Sequence, residues 1–169
     1  RFLREARTVA AIRHDHVVGI FAVGVANDLP FIAMEYIDGE SLAARLRREG
    51  PLPVEKLIRL ARETAAALVA AHARGTIHRD IKPGNIIVDS SNRVRVSLID
   101  FGLALNKNES ETRKTLFPLG FAAPELLLNH LNLVDARTDY FALGVSCWTC
   151  LQGRMPLIDP NPSITTNLQ

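Results

Sequence analysis

The chain has 169 residues, enough to bury one hydrophobic core, and its 20 Lys and Arg against 18 Asp and Glu leave a formal net charge of +2. That balance gives no electrostatic case for a nucleic-acid or membrane-surface partner, and no apolar run reaches the length of a bilayer-spanning helix. Two unpaired cysteines and no signal-peptide pattern suit a reducing, cytoplasmic setting.

In chain order, residues 1–13 (RFLREARTVAAIR) place Phe2, Ala6, Val9 and Ile12 at helical spacing, which predicts an amphipathic helix carrying Glu5. Residues 20–25 and 31–37 are apolar runs joined by residues 26–30, a hairpin signal. Ser41 suits the N-cap of a short helix running to Gly50. Pro53 then opens a longer helix with Leu57, Leu60, Ala61, Thr64, Leu68 and Ala71 as its inward stripe and Gly75 as its stop. Residues 86–89 (IIVD) and 94–99 (VRVSLI) read as strands joined by a turn at 90–93, with Asn85 at one end of the hairpin and Asp100 at the other. Residues 138–151 (TDYFALGVSCWTCL) are apolar nearly all round, which predicts a helix buried on every side. Cys147 and Cys150 form a lone CxxC inside it, with no second ligand pair to complete a tetrahedral metal site.

Three motifs follow one another along this frame: HRDIKPGN at 78–85, Asp-Phe-Gly at 100–102 and Ala-Pro-Glu at 123–125. Alone, an HRD reads as a turn with a solvated Arg and a DFG as an ordinary loop start. In order, they answer one chemical requirement. Phosphoryl transfer from ATP needs a carboxylate to orient the attacking hydroxyl, a cation to meet the spreading charge, and oxygen ligands for a metal ion. Asp80 offers the carboxylate and Lys82 a compact point charge two residues on. Asn85 and Asp100 offer the hard oxygen ligands that Mg2+ prefers, and the hairpin brings them to one sheet edge. The constellation resembles the catalytic half of a eukaryotic-like protein kinase, of the Ser/Thr branch also found in bacteria.

The resemblance implies an α+β fold, with residues 1–37 as part of the small lobe and hinge and residues 38–169 as the large lobe through its central buried helix. It implies Asp80 as the base, Lys82 as the γ-phosphate contact, Asn85 and Asp100 as the Mg2+ pair, and Ile87 beneath the adenine ring. MEYIDGESL at 34–42 resembles the hinge, where Glu35 would offer its main-chain carbonyl and Ile37 its N–H to adenine. Met34 reads either as the gatekeeper or as a core filler. Asp139 matches a carboxylate that accepts hydrogen bonds from the catalytic-loop backbone, while Val9, Ile20, His78 and Phe101 match a hydrophobic column aligning the lobes.

Glu5 matches the helix Glu that pairs with an ATP-anchoring Lys, and Glu125 one that pairs with a later Arg. Neither partner is found in this sequence, nor is a Gly-rich phosphate loop, so the chain is expected to be a fragment with little turnover of its own and a buried, unpartnered Glu125. Arg79, directly before Asp80, implies control by phosphorylation of the loop at 103–122, where Thr112 and Thr115 are the preferred acceptors. One departure stands out: Phe117 and Pro118 occupy the places of a Gly-Thr pair whose Thr bridges the catalytic Asp and Lys. A milder one is Phe121 where the family usually has Tyr.

The functional expectation is therefore ATP- and Mg2+-dependent phosphorylation of Ser/Thr hydroxyls on proteins, in the cytoplasm or on the cytoplasmic side of a membrane-anchored parent. A catalytically dead kinase-like binding module is the alternative. A small-molecule phosphotransferase ranks last, because such enzymes generally lack the Ala-Pro-Glu segment.

Overall fold

A computed structural model describes residues 8–96 and 120–156. Residues 8–10 are helical and close the first expected helix, with Val9 and Ile12 buried; its earlier part, including Glu5, lies outside the described residues.

Strands β1 (Ile20–Ala26) and β2 (Leu29–Met34) pair antiparallel and form a two-stranded sheet of their own. The connection is tighter than expected. Asn27 and Asp28 adopt φ of 49° and 61°, so they alone make the turn, and Ala26 pairs directly with Leu29. Two left-handed residues match the twist of paired strands, and Asn and Asp tolerate that conformation better than other side chains. At the other end β2 stops at Met34, short of residue 37.

A second sheet has the order β3-β4-β5, from Gly39–Ser41, Ile86–Asp89 and Val94–Val96, antiparallel throughout. The β4–β5 turn is held by Asp89, whose Oδ1 accepts from the Ser91 N–H (2.9 Å), the Ser91 hydroxyl (2.7 Å) and the Arg93 N–H (2.8 Å). Strand β3 was not expected, since Gly-Glu-Ser carries no strand pattern. It exists because Gly39 can approach β4, where a Cβ would stand 2.4 Å from the Val88 carbonyl oxygen.

Helix α1 (Leu42–Glu49) starts at Ser41, whose Oγ accepts from the Ala44 N–H at 3.2 Å, and ends at Gly50. Helix α2 (Val54–His72) follows Pro53 and buries Leu60, Thr64, Ala67, Leu68 and Ala71, close to the expected stripe. A short α3 (Pro124–Leu127) precedes α4 (Ala136–Gln152), whose start is fixed by a capping box between Asp135 and Thr138.

Helix α4 packs against α2. It buries Thr138, Asp139, Ala142, Leu143, Val145, Ser146 and Cys150 but leaves Tyr140, Phe141, Trp148 and Leu151 exposed, Trp148 by 47%. The expectation of burial on every side is corrected: apolar composition makes a face fit for burial, but only neighbours cover it, and the described residues cover one side. Burial pushes the Cys150 thiol up to about 12, with Cys147 adding to the shift, and burial raises the Cys147 thiol too. Both therefore stay protonated at neutral pH, unlike reactive or metal-binding thiols. Leu42, Leu52, Leu60, Leu68, Ile81, Ile86, Val88, Leu143 and Cys150 join in one core with Val9, Ile12, Val17 and Ile20.

Candidate active site

The segment 78–85 lies in the connection from α2, which ends at His72, to β4, which starts at Ile86, with Pro83–Asn85 as one 3-10 turn. Its geometry depends on Asp139 of α4, a fully buried carboxylate. Asp139 Oδ1 accepts from the Arg79 N–H at 2.7 Å, and Oδ2 accepts from the His78 N–H at 2.9 Å. The ring of His72, at the end of α2, places Nε2 2.7 Å from Oδ2. Arg79 has φ 66°, a conformation a non-glycine residue holds only when its surroundings impose it. The bond from its own N–H to Asp139 is one such constraint.

This arrangement presents Asp80. The residue is buried, 5% exposed, and its Oδ2 is shared between Lys82 Nζ at 2.6 Å and Asn85 Nδ2 at 2.9 Å. Asn85 Nδ2 also donates to the Asp80 main-chain carbonyl at 2.8 Å, which leaves the amide oxygen of Asn85 as the atom able to ligate a cation. The Asp80 N–H donates to His78 Nδ1 at 3.2 Å, so that nitrogen is the unprotonated one. Asp80 Oδ1 is buried and has no hydrogen-bond partner among the described residues. A buried carboxylate oxygen in that state suits a hydroxyl donor supplied by a substrate.

The expected site residues fall in different parts of the fold. Asp80, Lys82 and Asn85 are brought into direct contact, and His78 and Asp139 support them. Ile87 sits on β4 between the buried Ile86 and Val88, so alternation turns it to the other face of the sheet. Glu35 and Ile37 follow β2, and Met34 is 43% exposed, which sets aside the core-filler reading. Val9, Ile20 and His78 are buried. Glu5, Asp100, Phe101, Thr112 and Thr115 lie outside the described residues.

Glu125 needs correction: it is half-buried and accepts a 2.5 Å hydrogen bond from the Thr138 hydroxyl. The expected partner was a cation, but a neutral donor at the start of α4 provides for the carboxylate. His72 was missed. Its signal was weak but present, a ring four residues beyond buried Leu68 on the inward side of α2.

A family model described as the protein kinase domain matches residues 1–168. A probable serine/threonine-protein kinase, pknA2 of Bifidobacterium longum, is 36% identical over 165 residues, covering 96% of this chain and 21% of that protein. Serine/threonine-protein kinase PknB of Mycobacterium leprae is 34% identical over 170 residues, covering 96% and 27%. The probable serine/threonine-protein kinase CPE1738 of Clostridium perfringens is 34% identical over 165 residues, covering 96% and 24%. The chain therefore spans about a quarter of the length of the curated relatives it matches.

Proposed function

The chain belongs to the protein kinase domain family, and on that premise we propose that the protein transfers the γ-phosphoryl group of ATP to Ser or Thr hydroxyls of protein substrates. The observation that carries this reading is Asp80, with one oxygen bonded to Lys82 and Asn85 and the other buried without a partner among the described residues. In use, Oδ1 accepts the hydrogen bond of the attacking hydroxyl, fixing its approach and taking its proton as the new P–O bond forms and the bond from the γ-phosphorus to the bridging oxygen breaks, releasing ADP. Lys82 moves toward the phosphoryl oxygens as they gain charge. The Asn85 amide oxygen, together with Asp100, would hold Mg2+, which would supply positive charge against the phosphate oxygens. The adenine lies over Ile87 and against the main chain of Glu35 and Ile37. A cytoplasmic setting belongs to the same proposal, supported by Cys147 and Cys150 being free thiols.

The Pro118 departure favours a binding module only if the missing Thr bridge was needed to join Asp80 and Lys82. These two are already in contact at 2.6 Å, which supports turnover. Incubating the full-length protein with labelled ATP and a mixed protein acceptor, with and without Mg2+, tests the reading: Mg2+-dependent phosphate on Ser and Thr supports it. Nucleotide binding with no transfer would make the protein a binding module instead.

Regulation is part of the same proposal. Arg79 Nε is buried with no partner among the described residues, and a phosphate on Thr112 or Thr115 would give it a charge-assisted acceptor. Replacing both threonines with alanine should lower activity, as should Arg79→Ala. Full activity in both variants would remove the switch and leave the kinase reading standing.

A further inference from the structure

Among the described residues the two sheets share no ladder, so something other than strand pairing holds the segment after β2 in place beside β4 and β5. We propose that Arg95 is a positioning residue for nucleotide binding: its guanidinium fixes Glu35, and through it the main chain that adenine contacts. This rests on the reading that Glu35 and Ile37 form the adenine edge.

Arg95 lies on β5, directly across the ladder from Ile87 of β4. One Nη donates to the main-chain carbonyl of Asp15, in the segment before β1, and the other Nη to Glu35 Oε1. Glu35 is in turn tied at two further points. Its Oε2 accepts from the Gly19 N–H at 3.1 Å, and its own N–H donates to the Gly19 carbonyl at 2.7 Å. One planar group thus joins β5, the approach to β1 and the exit of β2. The neighbouring residue of β5 strengthens the same seam, since the Val94 carbonyl oxygen lies 2.9 Å from Nδ1 of His16.

The chemistry explains why such a residue matters. Adenine recognition here uses a main-chain carbonyl and N–H, so affinity depends on where the backbone at 35–37 stands and not on which side chains it carries. A guanidinium can serve two acceptors at fixed angles, which a lysine ammonium on a flexible stem does less well. The pair is partly solvated, with side chains 20% and 31% exposed, so its effect is discounted for screening.

The test uses the full-length protein and the variants Arg95→Ala, Arg95→Lys, Glu35→Gln and the Arg95→Ala/Glu35→Gln double. Arg95→Ala should raise KM for ATP about five- to tenfold with kcat at saturating ATP within about twofold. Arg95→Lys should fall between it and the parent. Glu35→Gln should shift KM in the same direction, and the double variant should be no worse than the poorer single, because both act through one link.

N6,N6-dimethyl-ATP separates this proposal from the hinge reading. The parent should bind it more weakly than ATP, because its amino group can no longer donate to the Glu35 carbonyl, and Arg95→Ala should narrow that preference. Equal binding of the two nucleotides by the parent refutes the hinge reading itself. If the parent discriminates but Arg95→Ala keeps both its ATP affinity and its discrimination, Arg95 has no positioning role, even where the melting temperature falls. If Arg95→Ala does not fold, Glu35→Gln decides: unchanged ATP affinity overturns the proposal.

Discussion

At Arg79 the backbone takes a left-handed conformation, which for a non-glycine residue costs about 1 to 3 kcal/mol. It is retained because Asp139 takes the N–H groups of His78 and Arg79 on its two oxygens. Asp139→Asn keeps the volume but turns one acceptor into a donor facing N–H groups. It should destabilise the fold by about 1 to 3 kcal/mol in urea unfolding with the m-value unchanged. It should also lower kcat in the full-length protein, since Asp80 would no longer be held. A variant with parental stability and kcat would show that Asp139 only fills space. Asp80, Lys82 and Asn85 were legible in the sequence because short-range order carries them. The partners of Asp139 and Glu35 were partly hidden: His72 and Arg95 lie 67 and 60 residues away along the chain, and residue type alone does not say which distant groups meet.

Among the elements, those with their own end signals were read well. Ser41 and Gly50 bracket α1, and Pro53 precedes α2. Ser41→Ala should cost about 1 kcal/mol through the lost cap, measured by thermal or urea melts. Strand β3 had no such signal because its existence rests on contact with β4. Gly39→Ala should therefore cost more than the cap, as its Cβ meets backbone that cannot swing aside.

Glu63 links α2 to β5. Burial alone would raise its carboxyl, but the Arg59 guanidinium and the Val94 N–H, at 2.7 and 2.8 Å, hold it below its ordinary 4.5. Its stabilising contribution is thus complete above that value and is lost as pH falls through the lowered pKa. Glu63→Gln should be less stable than the parent near neutral pH and lose less on acidification below about pH 4. Parallel stability–pH curves for the two proteins would contradict this.

At the scale of the whole molecule, the described residues form a helical core that supports a small three-stranded sheet, and the segment 78–85 leads from one to the other. The α+β class and the order of the longer helices and the two hairpins were legible because hydrophobic periodicity and motif order run along the chain. The burial of α4 was misjudged because periodicity does not state what covers a face. Leu68→Ala, at a fully buried position of α2, should cost about 2 to 5 kcal/mol and set the scale against which the site variants are judged.

In the proposed reaction Asp80, held in place by its neighbours, orients and deprotonates the attacking hydroxyl. The most direct test of this role is single-turnover phosphoryl transfer by the full-length protein and its Asp80→Asn variant, with circular dichroism and ATP affinity measured on the same samples. The expected result is a loss of about 10² to 10⁴ in rate with fold and ATP affinity retained. An Asp80→Asn protein that transfers phosphate at the parental rate would contradict the account.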